Sequence, residues 1–175
     1  FGGELTPRRY ISADVTEDER FLIITAATST FGNELYVKDL SSPDSAIITA
    51  VDNFESNNYV LTNAQSTLYI YTSLDARNGR IVTVDAQNPG PARWKDLISE
   101  TEHVLEPSTG GGKLFAKYIK DAVSMVHQYD MQGRLEHHVA LPAIGTAIGF
   151  SSKKEDNEVF YTFTSYVYPA TIFKY

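Results

Sequence analysis

Short apolar stretches bounded by polar, turn-forming residues recur along the chain at a nearly constant interval. Short stretches of this kind, rich in β-branched and aromatic residues, are typical of β-strands. Four of these stretches share an apolar position, at intervals of 46, 46 and 45 residues: Leu22, Leu68, Leu114 and Val159. A second strand-like stretch follows each one, and its first apolar residues lie at intervals of 46, 45 and 46: Leu35, Ile81, Val126 and Ile172. A fixed period of this kind predicts one structural unit per repeat.

Turn-forming residues separate these stretches, which are rich in Val, Ile, Thr, Tyr and Phe, and no helical periodicity persists for three turns. We therefore predict four strands per repeat. The predicted strands are 10–15, 20–28, 34–40 and 46–50 in the first repeat, 58–62, 67–72, 80–85 and 93–98 in the second, 103–107, 113–119, 123–130 and 134–140 in the third, and 145–150, 158–164 and 171–175 in the fourth, whose outer strand is missing.

Four short strands in about 40–50 residues are typical of a β-propeller blade. The sequence thus predicts an all-β fold, a partial β-propeller of about four blades of four antiparallel strands, at 10–50, 58–98, 103–140 and 145–175, the last incomplete. A two-sheet sandwich or an up-and-down barrel has similar strand content, but the regular interval favours the propeller. Because the chain begins at Phe1 without a methionine and stops inside a strand-like run, we expect it to be a segment of a longer protein.

The composition narrows the classes of partner. With 42% hydrophobic residues the chain can build a core, and its net charge of −7, without a long basic run, makes nucleic acid an unexpected partner. No apolar stretch approaches the ~20 residues of a membrane helix. The absence of cysteine excludes disulfides and thiolate chemistry, and is compatible with either a cytoplasmic or a periplasmic location.

Motifs for catalysis and phosphate binding are incomplete. A hydrolase serine needs a G-x-S-x-G turn, and the nearest sequence, Gly149-Phe-Ser-Ser152, lacks the second glycine. Thr109-Gly-Gly-Gly-Lys113 lacks the first glycine and the hydroxyl residue of a phosphate-binding loop, so we interpret it as a tight turn between strands.

The sequence signals for a metal-binding or carbohydrate-binding site are also weak. The four histidines are His103, His127, His137 and His138. A zinc site needs ligands that converge, but the adjacent His137 and His138 should point to opposite faces of a strand, and His127 is expected to be half-exposed. Acidic groups at 16–19 and 154–157 lack calcium-loop spacing and are interpreted as solvated turns. Periodic aspartates are interpreted as turn or strand-end residues, and the aromatic run 161–166 as packing between blades: Asp14, Asp39, Asp85 and Asp130. We therefore assign no catalytic, cofactor-binding or metal-binding residue and no cofactor.

Several segments resemble a known family. Asp52-Asn-Phe-Glu55, then Tyr59-Val-Leu-Thr-Asn63, then Tyr71-Thr-Ser-Leu-Asp-Ala-Arg-Asn-Gly-Arg80 follow the order found in the propeller of prolyl oligopeptidases. The segment Gly145-Thr-Ala-Ile-Gly-Phe-Ser-Ser-Lys-Lys-Glu-Asp-Asn-Glu-Val-Phe-Tyr-Thr-Phe-Thr-Ser165, followed by Tyr168-Pro-Ala-Thr-Ile-Phe-Lys-Tyr175, resembles the closing part of that propeller. The resemblance covers essentially the whole chain; it is specific over 145–175 and looser over 87–112.

This resemblance implies a parent serine peptidase that cleaves short peptides after proline. In that family an α/β-hydrolase domain carries a Ser-Asp-His triad and a seven-bladed propeller caps it; the hydrolase domain is absent from this chain. The implied role is a gating segment without catalysis of its own, with the remaining blades, the hydrolase domain and short proline-containing peptides as partners. Open blade faces also suggest self-association of the fragment. The alternative is a stand-alone propeller for protein interaction or ligand binding, with a sugar-binding propeller less favoured.

Overall fold

The computed structural model describes residues 8–175, which form fifteen strands in four antiparallel sheets. The strands are β1 (Tyr10–Val15), β2 (Phe21–Ala27), β3 (Asn33–Asp39), β4 (Ile48–Val51), β5 (Asn58–Ala64), β6 (Thr67–Thr72), β7 (Arg80–Asp85), β8 (Lys95–Ile98), β9 (Leu105–Gly110), β10 (Lys113–Lys120), β11 (Val123–Tyr129), β12 (Leu135–His138), β13 (Thr146–Ser151), β14 (Phe160–Ser165) and β15 (Tyr168–Lys174). A short 3-10 helix covers Pro91–Arg93.

Each sheet is a meander in which consecutive strands pair: β1 to β4, β5 to β8, β9 to β12, and the three-stranded β13 to β15. We call these sheets blades 1 to 4. The prediction of an all-β partial propeller with an incomplete last blade is confirmed. Pairs one repeat apart occupy equivalent places, as in Ile24 opposite Tyr36 and Ile70 opposite Val82.

The predicted bounds differ from the structure by two or three residues in several strands, and the last strand, β15, begins at Tyr168 rather than at residue 171. Strand β9 lies at Leu105–Gly110 rather than 103–107, because Gly110 pairs with Lys113 and only two residues remain for the turn. Strand β8 starts at Lys95 rather than at residue 93. Pro91 begins the 3-10 helix, and the indole Nε1 of Trp94 donates to the carbonyl oxygen of Pro89 at 2.8 Å, which holds the chain out of the sheet.

The chain divides into two compact units, and the first, which ends at Ser99, contains blades 1 and 2. Its core lies between the two sheets. Alternate residues of β2 and β3 face alternate residues of β6 and β7: Phe21, Ile23, Leu35, Val37, Leu68, Ile70, Val82 and Val84. Period-two alternation therefore puts one apolar face of each blade into a shared core.

A buried amide network links blades 1 and 2. Asn58 is 1% exposed, and its backbone N–H donates to Oδ1 of Asn33 at 2.8 Å. Nδ2 of Asn33 donates in return to the backbone oxygen of Asn58 at 2.8 Å. The hydroxyl of Thr72 donates to Oδ1 of Asn58 at 2.7 Å. Because every partner is buried or half-buried, this network fixes the register of one sheet against the next.

The second unit, from Glu100 to Tyr175, contains blades 3 and 4. Its core is aromatic: Phe115, Phe150, Tyr161 and Phe163 are each at most 6% exposed. The rings of Phe150 and Tyr161 stack with centroids 4.4 Å apart. Backbone bonds join the blades at both ends of the strands, from Ser124 N to Gly145 O at 3.0 Å and from Gly111 N to Lys153 O at 3.1 Å.

Candidate functional site

The histidines form pairwise contacts in blade 3. His137 and His138 point to opposite sides of β12, as predicted: Nε2 of His137 contacts the Tyr175 hydroxyl, and the ring of His138 lies 4.3 Å from that of His127 in an edge-to-face arrangement. Burial lowers the pKa of His127, and the neighbouring His138 lowers it further. No group of three or more metal-capable side chains occurs between residues 8 and 175.

The glycine-rich segment is a turn, as predicted. Strand β9 ends at Gly110 and β10 begins at Lys113, and both intervening glycines have positive φ, +56° at Gly111 and +68° at Gly112. A Cβ on Gly110 would lie 2.8 Å from the backbone nitrogen of Ser152. The glycines therefore provide a left-handed turn and a close approach of blade 3 to blade 4.

The segment nearest to a nucleophile turn is a β-bulge. The register between β13 and β14 shifts at Gly149, which has φ +111°, and the next residue, Phe150, is buried with φ +63°. Ser151 ends β13, and the hydroxyl of Ser152 accepts a hydrogen bond from the backbone of Gly111 at 3.0 Å. The irregular backbone thus turns a phenylalanine into the core and holds a turn in place.

Aspartates at the ends of the third strands share one geometry. In each, Oδ1 accepts the N–H of the residue two positions later: Asp39 from Ser41, Asp85 from Gln87 and Asp130 from Gln132, at 2.8–2.9 Å. Bonds from Ser41 lower the pKa of Asp39, and the backbone N–H of Arg134 lowers that of Asp130. These are turn-closing residues, as predicted. The fourth periodic aspartate, Asp14, is exposed in β1 instead.

The acidic turn at residues 16–19 contacts blade 2 as well as solvent. Asp18 is exposed, but Nδ2 of Asn63 in blade 2 donates to its Oδ2 at 2.7 Å, and the Thr16 hydroxyl donates to its Oδ1. Burial by itself raises the pKa of Asp18, but these hydrogen bonds outweigh it and the pKa lies below its usual value. The interpretation of this turn as merely solvated was incomplete, because sequence spacing does not reveal a partner 45 residues away.

The two ends of the strands in the second unit differ in chemistry. One end carries the turns that follow β11 and β13, with many charged side chains: Asp130, Arg134, Lys153, Lys154, Glu155, Asp156 and Glu158. We call it the charged end. The other end consists of the segment 100–104 before β9, which carries the exposed Glu100 and Glu102, the Asp121-Ala122 turn, the loop 139–145 and the Tyr166-Val167 turn. We call it the apolar end.

The apolar end presents side chains that globular proteins usually bury. The loop 139–145 reads Val-Ala-Leu-Pro-Ala-Ile-Gly, without one polar side chain, and Ile144 within it is 78% exposed. Tyr166 is fully exposed and Val167 is 91% exposed. Ile144 and Tyr166 border an open cavity of about 520 Å³ between the loop and the two turns. The search of the sequence for catalytic motifs missed this surface; its signal was the uninterrupted apolar composition of the loop.

No helix among residues 8–175 has the length and apolar character needed to cross a bilayer.

Comparisons with known proteins agree on one family. Over residues 1–175 the chain matches the family described as prolyl oligopeptidase, N-terminal β-propeller domain. It is 47% identical to the prolyl endopeptidase of Elizabethkingia meningoseptica over 99% of this chain and 24% of that protein. A solved prolyl endopeptidase structure superposes with a TM-score of 0.89 at 27% identity, over 98% of this chain and 26% of the other. Prolyl oligopeptidase B of Galerina marginata shares the fold, with a TM-score of 0.89 at 22% identity, over 99% of this chain and 25% of the other. The chain spans about a quarter of the length of these relatives.

Proposed function

The chain belongs to the prolyl oligopeptidase family, as part of its N-terminal β-propeller domain, and we propose that it is a gating segment of a serine peptidase that cleaves short peptides after proline. In this proposal the four sheets are consecutive blades of a seven-bladed propeller that covers an α/β-hydrolase domain. The observation that carries it is the match of all 175 residues to the propeller of a peptidase family, at up to 47% identity to a prolyl endopeptidase.

The segment itself supplies no chemistry in this proposal. Its nearest serine motif is a β-bulge, and three of its four periodic aspartates close turns. The stacked sheets would form a rigid cover over the active site of the peptidase. Such a cover restricts access to the active site and so excludes bulky substrates and bulk water from the reaction. The solved prolyl endopeptidase that superposes on this chain is described in terms of inter-domain dynamics in catalysis and specificity, which fits a cover that opens and closes.

The test compares the intact protein with the isolated 175-residue chain. We expect the intact protein to hydrolyse a fluorogenic peptide after proline and to be labelled by a serine-directed phosphonate, whereas the isolated chain does neither. Intact protein treated beforehand with the phosphonate is the control for background hydrolysis. Turnover and labelling of the isolated chain would contradict the proposal, and an intact protein that is inactive on the peptide would favour a propeller for protein interaction instead.

A second experiment on the intact protein tests the gating role separately. The same proline-containing sequence is presented once as a short free peptide and once within a folded carrier protein. We expect cleavage of the short peptide alone, because the propeller blocks the larger substrate. Equal rates on both substrates would overturn the gating role while leaving the peptidase assignment in place.

A further inference from the structure

A polar cavity of about 520 Å³ lies in blade 2, within the first unit. All but one of the residues that line it, Val84, are polar or charged: Thr67, Thr83, Asp85, Asn88, Arg93 and Lys95. We call it the blade 2 cavity. Pockets that hold small molecules have volumes of about 300–1,000 Å³, so this cavity has room for a small ligand.

The pairing of the strands places opposite charges on different sides of this cavity. Asp85 lies opposite Thr67 in the sheet, and two residues earlier Thr83 lies opposite Lys95 of the outer strand β8. Alternate residues of a strand share a face, so these side chains lie on the face of blade 2 that points away from its core with blade 1. The carboxylate and the two hydroxyls therefore come from β6 and β7, whereas Lys95 comes from β8 and Arg93 from the 3-10 helix before it.

Hydrogen bonds fix the loop that carries Arg93. At the start of the loop the backbone N–H of Asn88 donates to the carbonyl oxygen of Asp85 at 3.0 Å. Near its end the N–H of Arg93 donates to the carbonyl oxygen of Gly90 at 3.0 Å, and the indole of Trp94 is hydrogen-bonded to the same loop. A site whose backbone is held in place before a ligand arrives loses less conformational freedom on binding.

The protein does not neutralise the charges of this cavity. The aspartates at the equivalent positions of blades 1 and 3 each form an ion pair with an arginine of the same blade. Asp85 forms none, and among residues 8–175 no carboxylate forms an ion pair with Arg93 or Lys95. Oδ1 of Asp85 accepts the N–H of Gln87, which leaves Oδ2 available to a ligand. One side of the cavity is therefore cationic and the other acidic.

From these observations we infer that the blade 2 cavity binds a short free peptide by both of its charged ends. The peptide carboxylate contacts Arg93 and Lys95, and the α-ammonium group donates to Oδ2 of Asp85. A purely anionic ligand would meet the carboxylate of Asp85, and a purely cationic one would meet the two basic side chains, so a ligand with both charges fits best. A peptide suits charges on different strands better than a single amino acid does, because both charges of an amino acid lie on one carbon. The charges of the cavity carry this assignment, and the proposed peptidase activity is not needed for it.

The test measures binding of the dipeptide Ala-Pro to the intact protein by isothermal titration calorimetry. The protein is first treated with the serine-directed phosphonate, so that a peptidase active site neither binds nor cleaves the probe. We expect a dissociation constant of about 1 mM, as for a ligand of this size in an open site. N-acetyl-Ala-Pro and Ala-Pro amide each lack one of the two charges and should bind at least about fivefold more weakly.

Variants assign each end of the peptide to its side of the cavity. D85N should weaken binding of Ala-Pro at least about fivefold and leave N-acetyl-Ala-Pro unchanged, because that probe has no ammonium group to lose. R93Q and K95Q should likewise weaken binding of Ala-Pro and leave Ala-Pro amide unchanged. R77Q removes an exposed guanidinium from the turn between β6 and β7 and is the matched control, which should bind as the wild type does.

A wild-type protein that does not bind Ala-Pro at about 20 mM would overturn the peptide site, since that concentration is far above the expected dissociation constant. Wild-type affinity in both D85N and R93Q would overturn it as well. Binding of inorganic phosphate without binding of the dipeptide would show a simple anion site and exclude the zwitterionic ligand. Hydrolysis of the proline reporter by untreated protein reports separately on the proposed function.

Discussion

Single side chains at turns set the limits of the strands. A carboxylate oxygen that accepts a backbone N–H two residues later closes the same turn in three blades, at Asp39, Asp85 and Asp130. An asparagine would keep the acceptor oxygen of this turn, although Asp39 and Asp130 also pair with Arg20 and Arg134. Their recurrence in sequence therefore reports a backbone requirement and not a shared ligand.

We expect Asp85→Ala to lower the free energy of unfolding by about 1 kcal/mol, because the N–H of Gln87 loses its acceptor, while Asp85→Asn stays closer to the wild type. Urea unfolding monitored by circular dichroism measures the difference. Asp14→Ala, in exposed β1, is the matched control and should change little. If D85A and D85N lose equal stability, charge rather than turn geometry is responsible.

The His127–His138 contact gives the protein a pH dependence on the acid side. Because the pKa of His127 is lowered in the folded state, the unfolded state takes up its proton first as the pH falls. Stability from this group is complete above the unfolded pKa of about 6.5 and is lost as the pH falls through the folded pKa. We expect His127→Gln to reduce the loss of unfolding free energy between pH 7 and pH 5. A pH profile of H127Q that superposes on the wild type would disprove this role.

At the scale of elements, alternate residues of one strand point to opposite faces of the sheet. In β14, Tyr161 and Phe163 enter the core between blades 3 and 4, as the alternation predicted, while Phe160 points to the other face and is 48% exposed. Tyr166 was part of the same predicted run but lies fully exposed in the turn. Aromatic residues of one short segment are thus divided between the core and the surface.

Phe163→Ala and Phe160→Ala form a matched pair within that strand. We expect F163A to cost about 3–5 kcal/mol, because it leaves a cavity in a close-packed aromatic core, and F160A about 1 kcal/mol or less. Thermal unfolding of both variants followed by near-ultraviolet circular dichroism measures the difference. Equal losses would mean that the exposed face is covered in solution.

The amide network between blades 1 and 2 is the polar counterpart of that core. We expect Asn58→Ala to destabilise the protein by about 2–3 kcal/mol, since Thr72 and the backbone of Asn33 would lose buried partners. Asn88→Ala, at an exposed position after β7, is the control. Hydrogen exchange should show the loss locally, as faster exchange of the backbone amides at positions 58 and 33; unchanged exchange there would contradict a structural role.

The repeat in the sequence predicted the strands well because period and alternation are local properties. It could not predict burial, which depends on whether a neighbouring sheet is present. Leu35, Ile81 and Val126 are at most 2% exposed, whereas Ile172, at the equivalent position of blade 4, is 72% exposed. The apolar end was missed for a related reason: only the topology reveals that the loop 139–145 and the Tyr166-Val167 turn lie at the same end of the strands.

At the scale of the whole molecule, the exposed face of blade 4 determines how the isolated chain behaves. Ile148 of β13 and Ile172 of β15 flank Thr162 in the sheet and are 57% and 72% exposed, so two isoleucines lie exposed on this face. Sheet faces of this kind drive association when no further sheet covers them.

We expect the 175-residue chain to self-associate in the micromolar range and Ile172→Lys to weaken that association at least tenfold, because a lysine ammonium cannot be buried there unpaired. Lys174→Ala, which removes a charge from the same strand, is the control, and multi-angle light scattering across a dilution series is the measurement. A wild-type chain that stays monomeric throughout would show that this face is stable in water, and the need for further blades beyond β15 would lose its physical basis.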